Sequence, residues 1–258
     1  MSKIGFIGMG NMAKAIASGF VKSGVTDEKD IYAYAPTKEK LMKNAKEIGF
    51  RPVDSASDAT KYSDIILIGC KPYQIEGVIN EIHDVLKGKV LISIAAGWDY
   101  NDYFDRLKEV RIQCVMPNTP AMVGEGVFLF EEQNNLEPEE LITVRKLFEA
   151  IGTVVTLPGR LMTIGTAISG CGPAFMDMIM EAFADGGVKY GLQRETAYKL
   201  ISKTMEGSAK LQLETGKHPG VLKDEVCSPG GMTIKGVTSL EKSGMRNACI
   251  ECIDALMK

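Results

Sequence analysis

The chain has 258 residues, of which 45% are hydrophobic and 24% are charged, and its formal net charge is −3 at pH 7. This is the composition of a globular protein long enough for about two domains, and the slight negative charge argues against nucleic acid or a membrane surface as a partner. No apolar run in the sequence approaches the ~18 residues of a membrane span, and with only two histidines we expect no metal site. Six scattered cysteines favour reduced thiols, and the chain starts in a predicted strand, so we expect no signal peptide and a cytoplasmic protein.

The first stretch predicts a strand, a glycine turn and a helix in immediate succession. The apolar run 4–7 fits a short buried strand, Gly8-x-Gly10-x-x-Ala13 follows, and the apolar residues from Ala13 to Val21 have helical spacing. In this context the glycines let backbone approach a pyrophosphate, and the helix N-terminus offers free N–H groups to it. An ordinary turn with incidental glycines is the alternative. We expect the cofactor phosphates to contact Gly8, Gly10, Asn11 and Met12.

The end of the predicted second strand, 30–34, bears on the choice of cofactor. NAD-binding turns place a carboxylate there for the ribose 2′-hydroxyl, whereas this chain continues into Ala35-Pro36-Thr37-Lys38. A hydroxyl beside a lysine suits a 2′-phosphate better. We therefore expect Thr37 and Lys38 to bind NADPH, with NADH as the alternative cofactor, although a solvated loop lysine is an equally weighted interpretation.

Three apolar stretches, 64–70, 90–94 and 111–116, predict parallel strands buried on both faces, because none of them alternates with polar residues. Helical segments near 74–86 and 99–108 separate them. Ligands of an open parallel sheet lie outside the carboxyl ends of its strands. Residues at those ends should therefore line one crevice together with the glycine turn, and Lys71 is their only charged member, unless it is simply an exposed lysine. The residues expected there are Cys70, Lys71, Ala96 and Asn118.

The strand pattern stops after two more strands, 126–130 and 153–157, which flank a helix starting near Pro138. Beyond Pro158-Gly159, helical apolar stripes over 175–183 and 197–211 take over. We expect an α/β fold with a Rossmann-type dinucleotide-binding domain over 1–158, followed by an all-helical domain over 159–258. Within the latter, 216–231 is interpreted as a loop-rich interruption before two closing helices.

One stretch of the helical domain is a second candidate site. Ser228-Pro229-Gly230-Gly231-Met232-Thr233 leads into a helical pattern, so successive N–H groups are presented with little side-chain obstruction. Such a turn is a receptor for a small carboxylate. Ser228 and Thr233 add hydroxyls beside it. On these residues alone, a glycine-rich helix start without a ligand is an equal alternative.

Over essentially its full length the chain resembles the pyrroline-5-carboxylate reductases. The stretch 218–233, with its Ser-Pro-Gly-Gly-x-Thr core, is close to diagnostic, whereas the glycine turn is shared by many dehydrogenases. The resemblance implies hydride transfer from NAD(P)H to a cyclic imine, pyrroline-5-carboxylate, giving proline in the last step of proline biosynthesis. It also implies interleaved helical domains in a homodimer, with a decamer of dimers as the larger alternative, and one chain's 218–233 stretch facing the other's cofactor cleft. The matching motifs are Gly8–Ala13, Cys70–Pro72, Met116–Pro120, Ser169–Ala174, Asp185–Lys189 and the 218–233 stretch.

The chemistry of such a reduction suits the residues present. A protonated imine accepts hydride readily, so the protein must supply orientation and charge placement more than a strong acid. The turn from Ser228 to Thr233, including Gly230, Gly231 and Met232, would hold the substrate carboxylate, and the Thr233 hydroxyl would relay a proton to the ring nitrogen. Lys71 would act on the nicotinamide side and is the weaker candidate for the acid, because an ammonium group gives up its proton poorly at neutral pH.

Three departures from the family pattern occur outside the strongest motifs. Cys171 stands where the family often has Ser, 159–163 lacks an expected Glu and Asp, and 55–57 lacks an Asn. Two rival functions follow: a related oxidoreductase acting on another imine or on a hydroxy acid, and a non-catalytic dinucleotide-binding sensor with the same fold. The 228–233 turn argues against the hydroxy acid, and the departures are the only support for the sensor.

Overall fold

The computed structural model describes residues 2–258, which divide into two compact units, the first ending at Pro173 and the second running from Ala174 to Lys258. The first unit contains one mixed sheet with helices. Its strands are β1 (Ile4–Ile7), β2 (Ile31–Tyr34), β3 (Arg51–Pro52), β4 (Ile65–Ile68), β5 (Val90–Ser93), β6 (Arg111–Met116), β7 (Gly126–Glu131) and β8 (Gly152–Leu157). Its helices are α1 (Asn11–Lys22), α2 (Lys38–Ile48), α3 (Ala56–Lys61), α4 (Ile75–Ile82), α5 (Tyr100–Phe104), α6 (Pro138–Glu149) and α7 (Gly159–Ser169).

The eight strands are ordered β3-β2-β1-β4-β5-β6-β7-β8. Every neighbouring pair is parallel except β6 with β7, which is antiparallel. The chain reverses direction across the sheet between β1 and β4, and this switch point is where a doubly wound sheet opens a crevice at its carboxyl edge. The Rossmann-type fold class predicted from the sequence is confirmed.

The core lies on both faces of this sheet, which explains why the strands show no polar alternation. Successive side chains along a strand point to opposite faces of the sheet. Phe6 and Leu67 belong to a cluster that also contains helix α1, whereas Ile7 and Ile68 belong to a second cluster with α4. Since both faces are covered by helices, every position of β1 and β4 is buried.

The second unit is entirely helical, with α8 (Gly172–Lys189) entering it, followed by α9 (Arg194–Thr215), α10 (Pro219–Glu225), α11 (Met232–Lys242) and α12 (Met245–Met257). The stretch 216–231 was expected to be loop-rich, and α10 corrects that expectation: His218 caps it by accepting a hydrogen bond from the Gly220 N–H (3.0 Å). Two further helices were not predicted from the sequence: α2, and α3, which is capped by Ser55. Helix α7 packs on β7 and β8, so the first compact unit extends beyond the expected boundary at 158.

Few side chains of the second unit are buried. Of residues 174–258, all of which the structure describes, only Ala184 and Ala197 are buried. Large apolar side chains on α8, α9 and α12 are exposed instead, among them Met178, Leu213 and Ile250. Helices with such exposed apolar faces are stable only when another surface covers them.

Candidate active site

A cleft of about 810 Å³ opens along the carboxyl edge of the sheet, at the ends of β1, β2, β4 and β5. This volume lies in the usual range for a cofactor or small-molecule site. The cleft brings together every residue that the sequence assigned to the cofactor except Lys38 and Asn118. The assigned residues that line it are Gly8, Gly10, Asn11, Met12, Thr37, Cys70, Lys71 and Ala96.

The two glycines of the first turn are needed for different reasons. Gly8 has φ +93°, and a Cβ atom there would lie 2.6 Å from the Cys70 nitrogen, so no other residue fits between β1 and β4. Gly10 has no atom within 4 Å of the place where its Cβ would be, and it is the N-cap of α1. This leaves open space beside the first turn of α1. No described side chain caps the N–H groups of that turn, so space and N–H groups together form a cradle suited to a pyrophosphate.

Lys38 lies outside the lining of this cleft. Its Nζ atom is 3.1 Å from Asp54 Oδ1, and both side chains are more than three-quarters exposed. Lys40 lines the cleft beside Thr37 instead. Because α2 begins at Lys38, residues two positions apart point to different sides of the helix. Of these two lysines, Lys40 is therefore the one whose side chain lines the cleft.

Asn118 has a different environment from the one expected. Its side chain is buried, donates a hydrogen bond to the Ser169 carbonyl (3.0 Å) and accepts one from the Val127 N–H (2.8 Å). These bonds link the end of β6 to β7 and to the end of α7. The neighbouring Thr119 lines the cleft, and a structural role for Asn118 could not be read from a strand-end position alone.

The wall next to β4 combines a neutral thiol with a cation. Burial raises the pKa of the Cys70 thiol, which keeps it uncharged near neutral pH. Lys71 is exposed at the cleft, and its backbone N–H donates to Gln74 Oε1 (3.1 Å), which orders the short helical turn Pro72–Gln74. Gln74 and Glu81 also line the cleft and were not anticipated from the sequence.

The second candidate site is the turn that precedes α11. Gly231 caps this helix and donates its N–H to the Ser228 carbonyl (3.0 Å), and Gly230 adopts φ +70°, a conformation that favours glycine. No described side chain caps the first turn of α11, so the amides of Met232 and Thr233 are free. Both side chains are exposed. Like the α1 cradle, this turn combines a glycine N-cap with amides in the first helical turn that no described side chain caps.

Two negative observations concern residues 2–258. Among them, no three His, Cys, Asp or Glu side chains are grouped so as to hold a metal ion. Their helices also lack the combination of length and apolar character that crossing a bilayer requires.

Comparison with known proteins decides the family. Residues 160–258 match the model of the pyrroline-5-carboxylate reductase dimerisation domain, and residues 3–97 match that of the coenzyme F420-dependent NADP oxidoreductases. The chain is 39% identical over 254 residues to pyrroline-5-carboxylate reductase of Methanosarcina acetivorans, covering 97% of this chain and 94% of the relative. It belongs to the pyrroline-5-carboxylate reductase family.

Two further likenesses support this membership. The reductase of Escherichia coli is 38% identical over 258 residues, covering 99% of this chain and 96% of its own. The crystal structure of the Plasmodium falciparum reductase with NADP bound superposes with a TM-score of 0.88 at 32% identity, covering 99% and 95% of the two chains. The family predicted from the sequence is confirmed, and this reductase is an NADP-dependent oxidoreductase that carries a dimerisation domain.

Proposed function

We propose that this reductase transfers hydride from NADPH to 1-pyrroline-5-carboxylate and so forms L-proline, the last step of proline biosynthesis, in the cytoplasm. The observation that carries the proposal is the similarity to such reductases along the whole chain, with 38–39% identity over both units. A hydroxy-acid oxidoreductase would share the fold, but this alternative leaves the Ser228–Thr233 turn unexplained. A non-catalytic dinucleotide-binding sensor would need the cleft but would have no use for a second, carboxylate-binding turn.

On the cofactor side, the amides at the start of α1 hold the pyrophosphate, and Gly10 leaves space for it. Thr37 and Lys40 take the 2′-phosphate, the roles first assigned to Thr37 and Lys38. No carboxylate closes β2, which favours NADPH, with NADH as the weaker alternative. Lys71, Cys70 and Ala96 then border the nicotinamide half.

On the substrate side, the free amides at the start of α11 and the Ser228 hydroxyl hold the carboxylate. The Thr233 hydroxyl oxygen accepts a hydrogen bond from the protonated ring nitrogen, so it favours the protonated imine and orients the carbon of the C=N bond toward the cofactor. Hydride adds to the carbon of the C=N bond, the electron pair of that bond moves to nitrogen, and the neutral amine of proline results. No nucleophile and no metal is needed for this reaction.

The dimerisation domain implies a homo-oligomer, and we propose a homodimer through the second unit, with a decamer of dimers as the larger alternative. Exposed apolar side chains on α8, α9 and α12 support this, because a second copy would cover them. Light scattering on the purified protein distinguishes the monomer, the dimer and the larger assembly of dimers.

The loss of reduced-nicotinamide absorbance tests the reaction. We expect turnover with 1-pyrroline-5-carboxylate and less with its six-membered analogue. Turnover with 2-keto acids alone would favour the hydroxy-acid enzyme. Binding of NADPH without turnover of any of these compounds would favour the sensor.

A further inference from the structure

The wall of the cleft that follows β5 is a short turn, residues 94–98, here called the 94–98 turn. Ile94, Ala95 and Ala96 line the cleft, and Gly97 reverses the chain with φ +80°. These side chains are apolar, so they make no polar contacts that would hold the turn in place. The Ile94 N–H donates to the Ile68 carbonyl of β4 (3.0 Å), and any side-chain contacts that position the rest of the turn come from behind it.

Tyr103 of α5 contacts the chain at both ends of this turn. Its Oη atom lies 2.7 Å from Ser93 Oγ at the end of β5, and Ser93 Oγ also accepts a hydrogen bond from the Ala95 N–H (3.2 Å). The Tyr103 ring packs against Trp98, with ring centroids 5.0 Å apart and planes inclined by 49°. One side chain therefore anchors the start of the turn by a hydrogen bond and its end by an aromatic contact.

The hydrogen bond between Ser93 and Tyr103 is shielded from solvent. Tyr103 is 0% exposed and Ser93 is 1% exposed, so a hydroxyl deprived of its partner there could not bond to water instead. Burial raises the pKa of the Tyr103 phenol, which keeps the hydroxyl protonated at every physiological pH. The Arg106 guanidinium also lies over the Trp98 ring, 4.9 Å from the ring centroid.

The position of the turn indicates which half of the cofactor it affects. The pyrophosphate cradle lies at β1, and Thr37 and Lys40 lie on the β2 side with the adenosine half. In a doubly wound sheet the other half of a dinucleotide lies across the switch point. On this side of the sheet, toward β4 and β5, the 94–98 turn forms the wall.

We propose that Tyr103 is a positioning residue of this reductase, which sets the nicotinamide side of the cleft through the 94–98 turn without touching the cofactor. This inference rests on the proposed function, because it takes the cleft to be the NADPH site. Tyr103 differs from the residues assigned above in that it lies behind the cleft and not in its lining.

The test compares Tyr103→Phe, which deletes one hydroxyl and keeps the ring, with Tyr100→Phe as the matched control. Tyr100 is also a buried tyrosine of α5, and its ring stacks on Phe104 rather than on the turn. For each variant the affinity for NADPH is measured beside that for 2′-phospho-ADP-ribose, which lacks the nicotinamide. KM for NADPH and kcat are measured in parallel.

For Tyr103→Phe we expect NADPH to bind about three- to tenfold more weakly, because the loosened 94–98 turn must be ordered when the nicotinamide binds, a cost comparable to one buried hydrogen bond. The affinity for 2′-phospho-ADP-ribose should stay unchanged, and kcat should fall because the nicotinamide is less well oriented. Tyr100→Phe should change neither affinity. Equal weakening of both ligands by Tyr103→Phe, or no weakening of either, overturns the inference, because a purely structural role does not discriminate between them.

A second variant keeps the inference falsifiable if Tyr103→Phe fails to fold. Ser93→Ala removes the other hydroxyl and should give the same selective loss of NADPH, and the double variant should lose less than the sum of the two single effects. If the losses of NADPH affinity in the two single variants add up in the double variant, the effect does not come from the hydrogen bond that Ser93 and Tyr103 share. Turnover of 1-pyrroline-5-carboxylate by the wild type decides the proposed function separately, since the binding measurements need no substrate.

Discussion

Lys38 and Lys40 lie in the same turn of α2, yet only Lys40 lines the cofactor cleft, whereas Lys38 pairs with Asp54 at 3.1 Å. The two lysines therefore form a natural matched pair. Lys40→Ala should raise KM for NADPH about tenfold, the loss of one charge-assisted hydrogen bond to the 2′-phosphate, and should spare KM for NADH. Lys38→Ala should change neither value, because an exposed ion pair contributes little. Steady-state kinetics with both cofactors measures this, and a Lys38 effect as large as that of Lys40 would contradict the assignment.

Gly8 should tolerate no side chain. Gly8→Ala places a Cβ atom 2.6 Å from the Cys70 nitrogen at φ +93°, so we expect a loss of more than about 3 kcal/mol in the free energy of unfolding and no measurable NADPH binding. Gly24→Ala is the control, since Gly24 has φ +73° but no atom within 4 Å of the added Cβ. It should cost only about 1–2 kcal/mol of backbone strain. Urea unfolding separates the two effects, and equal losses would mean that the clash with β4 is unimportant.

Replacing Thr233 with Val removes the hydroxyl and keeps the shape of the side chain. Thr233→Val should lower kcat roughly ten- to hundredfold, since a hydrogen bond to a charged group contributes about 1.5–3 kcal/mol. NADPH affinity should be nearly unchanged. Thr238→Val, further along α11, removes a hydroxyl whose one hydrogen bond to residues 2–258 goes to the Lys235 carbonyl (3.0 Å), and it should leave kcat unchanged. If Thr233→Val keeps full turnover, the proton reaches the ring nitrogen from water or Lys71.

Glu131 should make folding less favourable as pH rises. It is 4% exposed, accepts the Tyr100 N–H (2.9 Å), and lies beside the Cys114 thiol and the carboxylates of Asp99 and Asp102. Burial, chiefly, raises its pKa in the folded state above that in the unfolded state. The protonated form is thus favoured by folding, and stability falls as pH rises from the unfolded value of about 4.3 through the raised folded value.

The variant Glu131→Gln still accepts the Tyr100 N–H but carries no charge. We expect it to be more stable than the wild type at neutral pH, with the difference shrinking toward zero below about pH 4. Chemical unfolding across this range measures it. A difference that grows as pH falls would mean that Glu131 is stabilised as the carboxylate.

A shared active site would reveal itself by complementation. Gly10→Glu blocks the pyrophosphate cradle, and Gly231→Asp blocks the carboxylate turn, so each variant alone should be inactive. If each site uses the cleft of one chain and the turn of the other, co-refolding should restore about a quarter of the activity, because half of randomly formed dimers are mixed and each has one intact site. Verified mixed dimers without activity would place both halves of a site within one chain and leave the reaction assignment intact.

Much of the fold follows from local patterns in the sequence. The apolar runs of β4, β5 and β6 and the glycine turn before α1 were all identifiable, because buried parallel strands and dinucleotide turns have strong signals. Helices α2, α3 and α10 were missed: α2 is rich in lysine and glutamate, and α3 and α10 have only six and seven residues, too few to show a helical apolar pattern.

The sequence indicated which strand ends form the site, but it did not indicate which individual side chains enter it. That Lys40 and not Lys38 enters the cleft depends on the phase of α2, which is set by where that helix starts. Asn118 was predicted to line the cleft, but its side-chain amide is hydrogen-bonded to Val127 and Ser169 instead. Tyr103 acts on a wall contributed by another element, and no spacing in the sequence indicates such a contact.

The sparse interior of the second unit makes the stability of this reductase depend on its own abundance. With only Ala184 and Ala197 buried among residues 174–258, that unit gains hydrophobic free energy in the homo-oligomer that its dimerisation domain implies, and mass action then governs the folded fraction. Dilution should lower the midpoint of thermal unfolding even though no residue has changed. In a cell, the amount of reductase synthesised would thereby set not only the number of active sites but also the lifetime of each one.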